Sequence, residues 1–283
     1  MTATTHPPHA TPPAPETGEP HPRHRLAWIV VAIIGALFVV VPLALTLLAD
    51  TLSRDAGYTS PDNNRPHPVR TIDVDAGAAQ LTVTTGPPGR VTLTGDLRYL
   101  LKRPRIERTW DGDTLKVGAR CEGFVDQYVQ DCAIDLHLTV PQDVDLTVRG
   151  GSGDIKVRDL TGRVDLAGGS GAVKLRALKG TVHATVGSGE IQATQLTSPD
   201  VDLSAGSGTL HADFTTPPHR VVASTGSGTV TLTVPAATRY QVRGDSGSGS
   251  RTIAPDLLDA TSPHVLDISS GSGSVTIGYP TDW

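Results

Sequence analysis

The sequence predicts an all-β protein: a β-solenoid of about seven two-stranded coils behind a β-rich N-terminal cap, preceded by one transmembrane α-helix and a disordered tail. Three observations lead there. A Gly-Ser-Gly triplet recurs seven times in the second half of the chain. Short runs of period-2 alternation follow each triplet, the signature of strands with one face inward. A single uncharged stretch lies near the N-terminus. The corresponding divisions are a tail at 1–25, a membrane helix at 26–48, a linker at 49–68, a capping region at 69–149 and the repeats at 150–283.

Composition narrows the class. Phe, Trp and Tyr together number 11 in 283 residues, so the apolar positions are mostly Val, Leu, Ile and Ala. That suits a thin core between closely spaced strands better than a wide one filled by rings. The formal charge is −5, and Arg23 and Arg25 cancel Glu16 and Glu19, so the excess falls after residue 49. An acidic domain is poorly suited to nucleic acid. The excess of Arg over Lys, with much Ala, Gly, Thr and Val, has the look of a high-GC bacterium.

The tail is rich in Pro, His and Thr and lacks large apolar residues, so it cannot bury enough surface to fold alone. His6, His9, His21 and His24 lie in it as solvated residues. Residues 26–48 carry no charge and are long enough, as a helix, to cross a hydrocarbon core of about 30 Å. A cleaved signal peptide is the alternative, but its apolar region is shorter and ends in a small-x-small site, which Leu47-Leu48-Ala49-Asp50 is not. Arg23 and Arg25 before the stretch and Asp50 after it point to a cytoplasmic N-terminus and an extracytoplasmic C-terminal domain, a single-pass plasma-membrane protein. Pro61, Pro66 and Pro68 mark the following stretch as a spacer.

In the capping region, Val69–Val74, Leu81–Val83, Val91–Leu93, Leu115–Val117 and Ile134–Val140 alternate, and Asp111-Gly112 is a hairpin turn signal. Cys121 and Cys132 stand near facing ends of two strands and, in an exported domain, are expected to form a disulfide closing a short loop. The region is expected to protect the solenoid's near edge, with Pro280 and Trp283 blunting the far one.

The triplet serines are Ser152, Ser170, Ser188, Ser207, Ser227, Ser248 and Ser272. Each unit holds two alternating runs, such as Val164-Asp165-Leu166 and Val173-Lys174-Leu175, separated by turn residues such as Gly162, Gly180, Pro199 and Pro217-Pro218. One unit cannot bury its apolar face, but stacked units can. The glycines are expected at tight corners needing positive φ, and the serines in local hydrogen bonds or a hydroxyl column. An antiparallel sandwich of the same strands is the alternative, disfavoured by regular recurrence of one corner. The growing spacing of the triplets predicts longer turns opposite the corner in later coils.

The run Ile134–Pro141, then Val144–Val148, then Gly151-Ser-Gly-Asp-Ile155 and its successors resembles the DUF4097 family, labelled as adhesins. The resemblance spans about 69–279. It implies a β-strand-repeat domain at bacterial surfaces and transfers no catalytic residue.

Motifs for chemistry are weak. Gly244-Asp245-Ser246-Gly247 is similar to the nucleophile segment of chymotrypsin-like proteases but has Ser248 where glycine is needed. Gly150-Gly151-Ser152-Gly153-Asp154 is similar to a calcium-binding nonapeptide, yet the residue after each corner is acidic in only two coils, Asp154 and Glu190. His137, His183, His211, His219 and His264 show no metal-ligand spacing. No cofactor is implied. Lys102, Arg103, Arg105 and Arg108, near Tyr99 and Trp110, form a candidate anionic-ligand patch, or a strand edge defended by charge.

The expected function is that of a membrane-anchored, non-enzymatic adhesin or envelope-binding protein, with the membrane and a cell-wall polymer or surface protein as partners and no nucleic acid. The alternative is an envelope-stress sensor signalling through the tail. A glycan-acting enzyme comes third, lacking a defensible carboxylate pair.

Overall fold

The computed structural model describes residues 23–61, 66, 68–100, 102–121 and 132–280. The chain divides into two compact units, Met1–Leu48 and Ala49–Trp283. Most of it is β-strand, with one long helix, α1 (Arg23–Leu52). The described side chains of α1 run from Trp28 to Ala44, and all are exposed. Among the described residues, no helix is long and apolar enough to cross a membrane. The single-pass anchor expected from the sequence, with its orientation and address, is corrected accordingly. Residues 1–22 and Trp283 lie outside the described residues, and with them the tail's first three histidines.

The β unit is built from parallel levels. In β10 (Val164–Arg176), β11 (Val182–Leu196), β12 (Asp200–Phe214) and β13 (Arg220–Thr233) each strand turns a corner at its Gly-Ser-Gly and runs on as a second arm. Register holds through the corner: Val164, Val182, Val201 and Val221 pair in succession, and so do Ser170, Ser188, Ser207 and Ser227. Inward residues are buried and outward ones exposed or intermediate along both arms, so one narrow core runs through the stack. Fully burying such a Val or Leu contributes about 1.5–3 kcal/mol.

The corner glycines answer to a close approach. Gly208 has φ +137°, and a Cβ there would lie 1.8 Å from the carbonyl oxygen of Gly189 in the level before. At Gly206 it would meet the Gly187 oxygen at 2.5 Å. Backbone of one level fills the place of a side chain on the next. The serine between has no such constraint and is exposed in every triplet.

Levels do not follow sequence at either end. After β13 the chain forms β14 (Gln241–Arg243) and β15 (Arg251–Ile253), then β16 (Val265–Ser272) and β17 (Val275–Gly278). β16 and β17 pair with β13 on one side and with β14 and β15 on the other, so the last coil in sequence lies inside the one before it. Ser272 pairs with Ser227 and hydrogen-bonds Ser248, giving the order 227, 272, 248. The far edge is therefore the short β14 and β15 rather than the chain's last strand, correcting the expectation for Pro280.

The near end repeats the device. β2 (Thr71–Gly77) lies between β6 (Thr114–Arg120) and β8 (Asp145–Gly150), and β3 (Gln80–Thr85) between β7 (Ala133–Val140) and β9 (Ile155–Arg158), all parallel. Antiparallel strands close this end: β5 (Arg105–Asp111) on β6 through a turn with Gly112 at φ +62°, and β4 (Thr92–Tyr99) on β7. β1 (Arg54–Thr59), inside the stretch expected as a linker, pairs along β4. Its residues alternate too weakly to read as a strand because an edge strand buries little.

Phe214, the last residue of β12, and Tyr240, just before β14, are the two largest fully buried side chains. Burial pushes the Tyr240 phenol up to about 12, and its hydroxyl is buried without a hydrogen-bond partner.

Two outcomes test this arrangement. Gly208→Ala should cost at least about 3 kcal/mol in chemical denaturation, while Ser207→Ala should stay within about 0.5 kcal/mol. Tyr240→Phe should be neutral or stabilising at pH 7, since it removes an unpaired buried hydroxyl. Because the folded phenol titrates above its unfolded value, its contribution is complete below about pH 10 and lost as pH rises through about 12. Tyr240→Phe should flatten that part of the alkaline stability curve.

Candidate functional site

The outward sides of β2, β5, β6 and β8 line an open groove of about 420 Å³. Its charges satisfy one another. Arg120 pairs with Asp75 at 3.1 Å, Arg149 with Asp73 at 2.8 Å, and Arg105 with Glu107 at 2.8 Å. At the hairpin end Lys116 donates to Asp111 at 2.8 Å. That hydrogen bond, with the opposite charge, lowers the Asp111 carboxyl below its ordinary value and raises the Lys116 ammonium. These are exposed pairs, worth little singly. Together they leave a polar groove with little field of its own.

Of the sequence-predicted cations Lys102, Arg103, Arg105 and Arg108, the last three turn to different surroundings. Arg105 lines the groove. Arg103 donates to the Gly57 carbonyl of β1 at 3.2 Å. Arg108 points inward from β5 between Ile106 and Trp110, donates to the buried Ser60 hydroxyl just past β1, and lies 5.4 Å from the centre of the Trp110 ring. Arg103 and Arg108 thus tie one edge strand to the other across the near end. Among the described residues β5 pairs only with β6, and an inward-pointing charge on an edge strand is a known guard against further pairing.

Cys121 and Cys132 are bonded, with Cα atoms 6.2 Å apart, at the corner between β6 and β7 where later levels carry the triplet. The triplet serines Ser152, Ser170, Ser188, Ser207, Ser227, Ser248 and Ser272 make an exposed ridge, and Ser248 donates to Ser272 at 3.3 Å. The Gly244–Gly247 segment is an Asx turn: the Asp245 carboxylate accepts from the backbone N–H of Ser246 at 2.7 Å and of Gly247 at 3.3 Å. Asp154 accepts from the Ala172 N–H at 3.0 Å, capping the next level's backbone. Among the described residues, no group of three or more His, Cys, Asp or Glu could hold a metal ion. His183 lies 3.5 Å from Asp202, and His264 bonds the Pro218 carbonyl at 2.8 Å.

One cluster was missed. Lys156 pairs with Lys174, and Arg158 with Arg176, on the outward face of β9 and β10. All four are exposed, and among the described residues none has a carboxylate within 4.0 Å. The signal was present in the 18-residue step, which superposes Lys-x-Arg on Lys-x-Arg.

Residues 135–278, just over half of the chain, match the Toastrack DUF4097 family model. The chain belongs to this family. The Toastrack match covers β7 to β17, the levels that carry the triplets. Three solved structures show likeness at low identity. A candidate adhesin from Bacteroides fragilis has 15% identity and a TM-score of 0.44, over 81% of this chain and 97% of that one. A candidate adhesin from Parabacteroides merdae has 12% and 0.39, over 80% and 95%. A candidate lipid-binding protein from Parabacteroides distasonis has 12% and 0.37, over 79% and 96%. No curated protein matches the chain.

Removing the near-end tie should be costly where removing a groove charge is not. Arg108→Ala should destabilise by about 1–3 kcal/mol in urea unfolding, and Arg105→Ala by under about 0.5 kcal/mol.

Proposed function

We propose that this Toastrack protein is a non-catalytic, adhesin-type binding scaffold whose extended outward sheet faces take a polymer rather than a small molecule. The observation that carries this is the in-register stacking of outward residues from β2 to β17. It presents polar side chains at strand spacing, about 4.8 Å, over many levels. The described grooves are open and shallow in their chemistry. The near-end groove is lined by ion pairs. A second groove of about 380 Å³, over β11 to β13, is lined by His183, Asp202 and Arg220. Small-molecule sites are commonly enclosed and mostly apolar, and neither groove has that character. Regular repeat faces are the usual means by which stacked-repeat proteins hold extended partners.

The full-length chain, coupled to beads, should be retained by surfaces coated with extracted bacterial cell-surface polymers and should leave those polymers at their original length. Absence of retention on every polymer tested, or shortening of any of them, would reject this reading.

A further inference from the structure

We infer that the outward face of β9 and β10 is a subsite for a linear polyol- or saccharide-phosphate polymer, held by Lys156, Arg158, Lys174 and Arg176. The inference rests on the binding-scaffold reading and names its ligand.

The four cations form a two-by-two plate. Register sets Lys156 beside Lys174 and Arg158 beside Arg176, about 4.8 Å apart across strands and about 6.6 Å along them. Like charges directly opposite one another destabilise a sheet, and here no carboxylate relieves them; Arg176 donates its Nε–H to the Gln195 side-chain carbonyl at 2.9 Å, a neutral acceptor that leaves the charge in place. The fold does not require the arrangement. β11, the next level, has Gln192 beside Lys174 and Thr194 beside Arg176 in the same geometry. Nor is this edge defence: β9 lies between β3 and β10, and β10 between β9 and β11. In a domain of net negative charge, a standing repulsion at an interior position is explained by a ligand that neutralises it.

The surroundings indicate the ligand's form. On the two flanking strands the plate meets Thr82, Gln192 and Thr194, uncharged hydrogen-bonding residues suited to hydroxyls. Guanidinium groups match phosphate oxygens bidentately, and ammonium groups serve as point charges. The plate is flat, so repeated charges along a strand-like polymer can each reach a cation. Nucleic acid fits less well: single strands are usually gripped by aromatic stacking, and the register neighbours are Thr and Gln rather than Phe, Tyr or Trp.

The test uses the full-length chain and a fluorescent poly(glycerol phosphate) oligomer, with anisotropy titrations between 50 and 200 mM NaCl. Four contacts on a single strand predict a slope of about −3 in log affinity against log salt, or about fifty-fold weakening over that range. Lys156→Thr with Lys174→Thr should reduce this to about seven-fold and lower affinity at 50 mM. The same variant should melt no lower than the parent, because it removes a like-charge pair. Arg103→Ala should leave the slope unchanged. The proposal falls if the double variant keeps the parent slope. It falls equally if a single-stranded oligonucleotide or phosphatidylglycerol vesicles bind more tightly than the oligomer. Should beads bearing the chain still hold other surface polymers while the oligomer fails to bind, this inference fails and the scaffold reading stands.

Discussion

The whole β unit depends on how closely one level's backbone approaches the next at the Gly-Ser-Gly corner. A Cβ at Gly189, Gly208, Gly228 or Gly273 would lie within about 2 Å of the carbonyl oxygen of the glycine beneath it. Because neither partner has a side chain, the strands stay in register through the bend, and each arm can pair fully on both sides. In-register pairing then aligns the inward columns of Val, Leu, Ile and Ala that make the core. A substitution at the corner therefore acts on both arms at once.

A stack of parallel coils has two vulnerable ends, and the same solution appears at each. The penultimate level is supplied out of sequence: β2 and β3 by chain laid down before the end level, β16 and β17 by chain returning after it. Each such level is paired on both sides by segments distant in sequence, so it cannot peel away without breaking two sets of ladder bonds. The outermost strands are then short, as in β14 and β15, or antiparallel and guarded by charge, as in β5. Arg108 and Arg103 complete the near end by joining strands from opposite arms.

Surface charge is arranged differently along the unit. At the near end cations and carboxylates meet across β2, β5, β6 and β8 and neutralise one another. Over β9 and β10 four cations face solvent together. The first arrangement is chemically quiet; the second sets like charges side by side, with one guanidinium N–H of Arg176 given to Gln195. Such a division is what a scaffold requires if it is to hold its own shape and also hold something else.

The sequence by itself determined the strands of the repeat, their inward faces and the corner glycines, because period-2 alternation and an intolerance of Cβ are local properties that recur every 18 or more residues. It also marked the Asp111-Gly112 hairpin and the adjacency of Cys121 and Cys132. Only the tertiary structure decided that the coil of Ser272 lies inside that of Ser248, since both carry the same inward pattern and either could pair with β13. It alone recruited Arg54–Thr59 as an edge strand, and it sent Arg103, Arg105 and Arg108 to different surroundings. Nearness along the chain is a poor guide to nearness in a stack, where the residue one level away is a neighbour at about 4.8 Å and the residue two places along the strand is farther off.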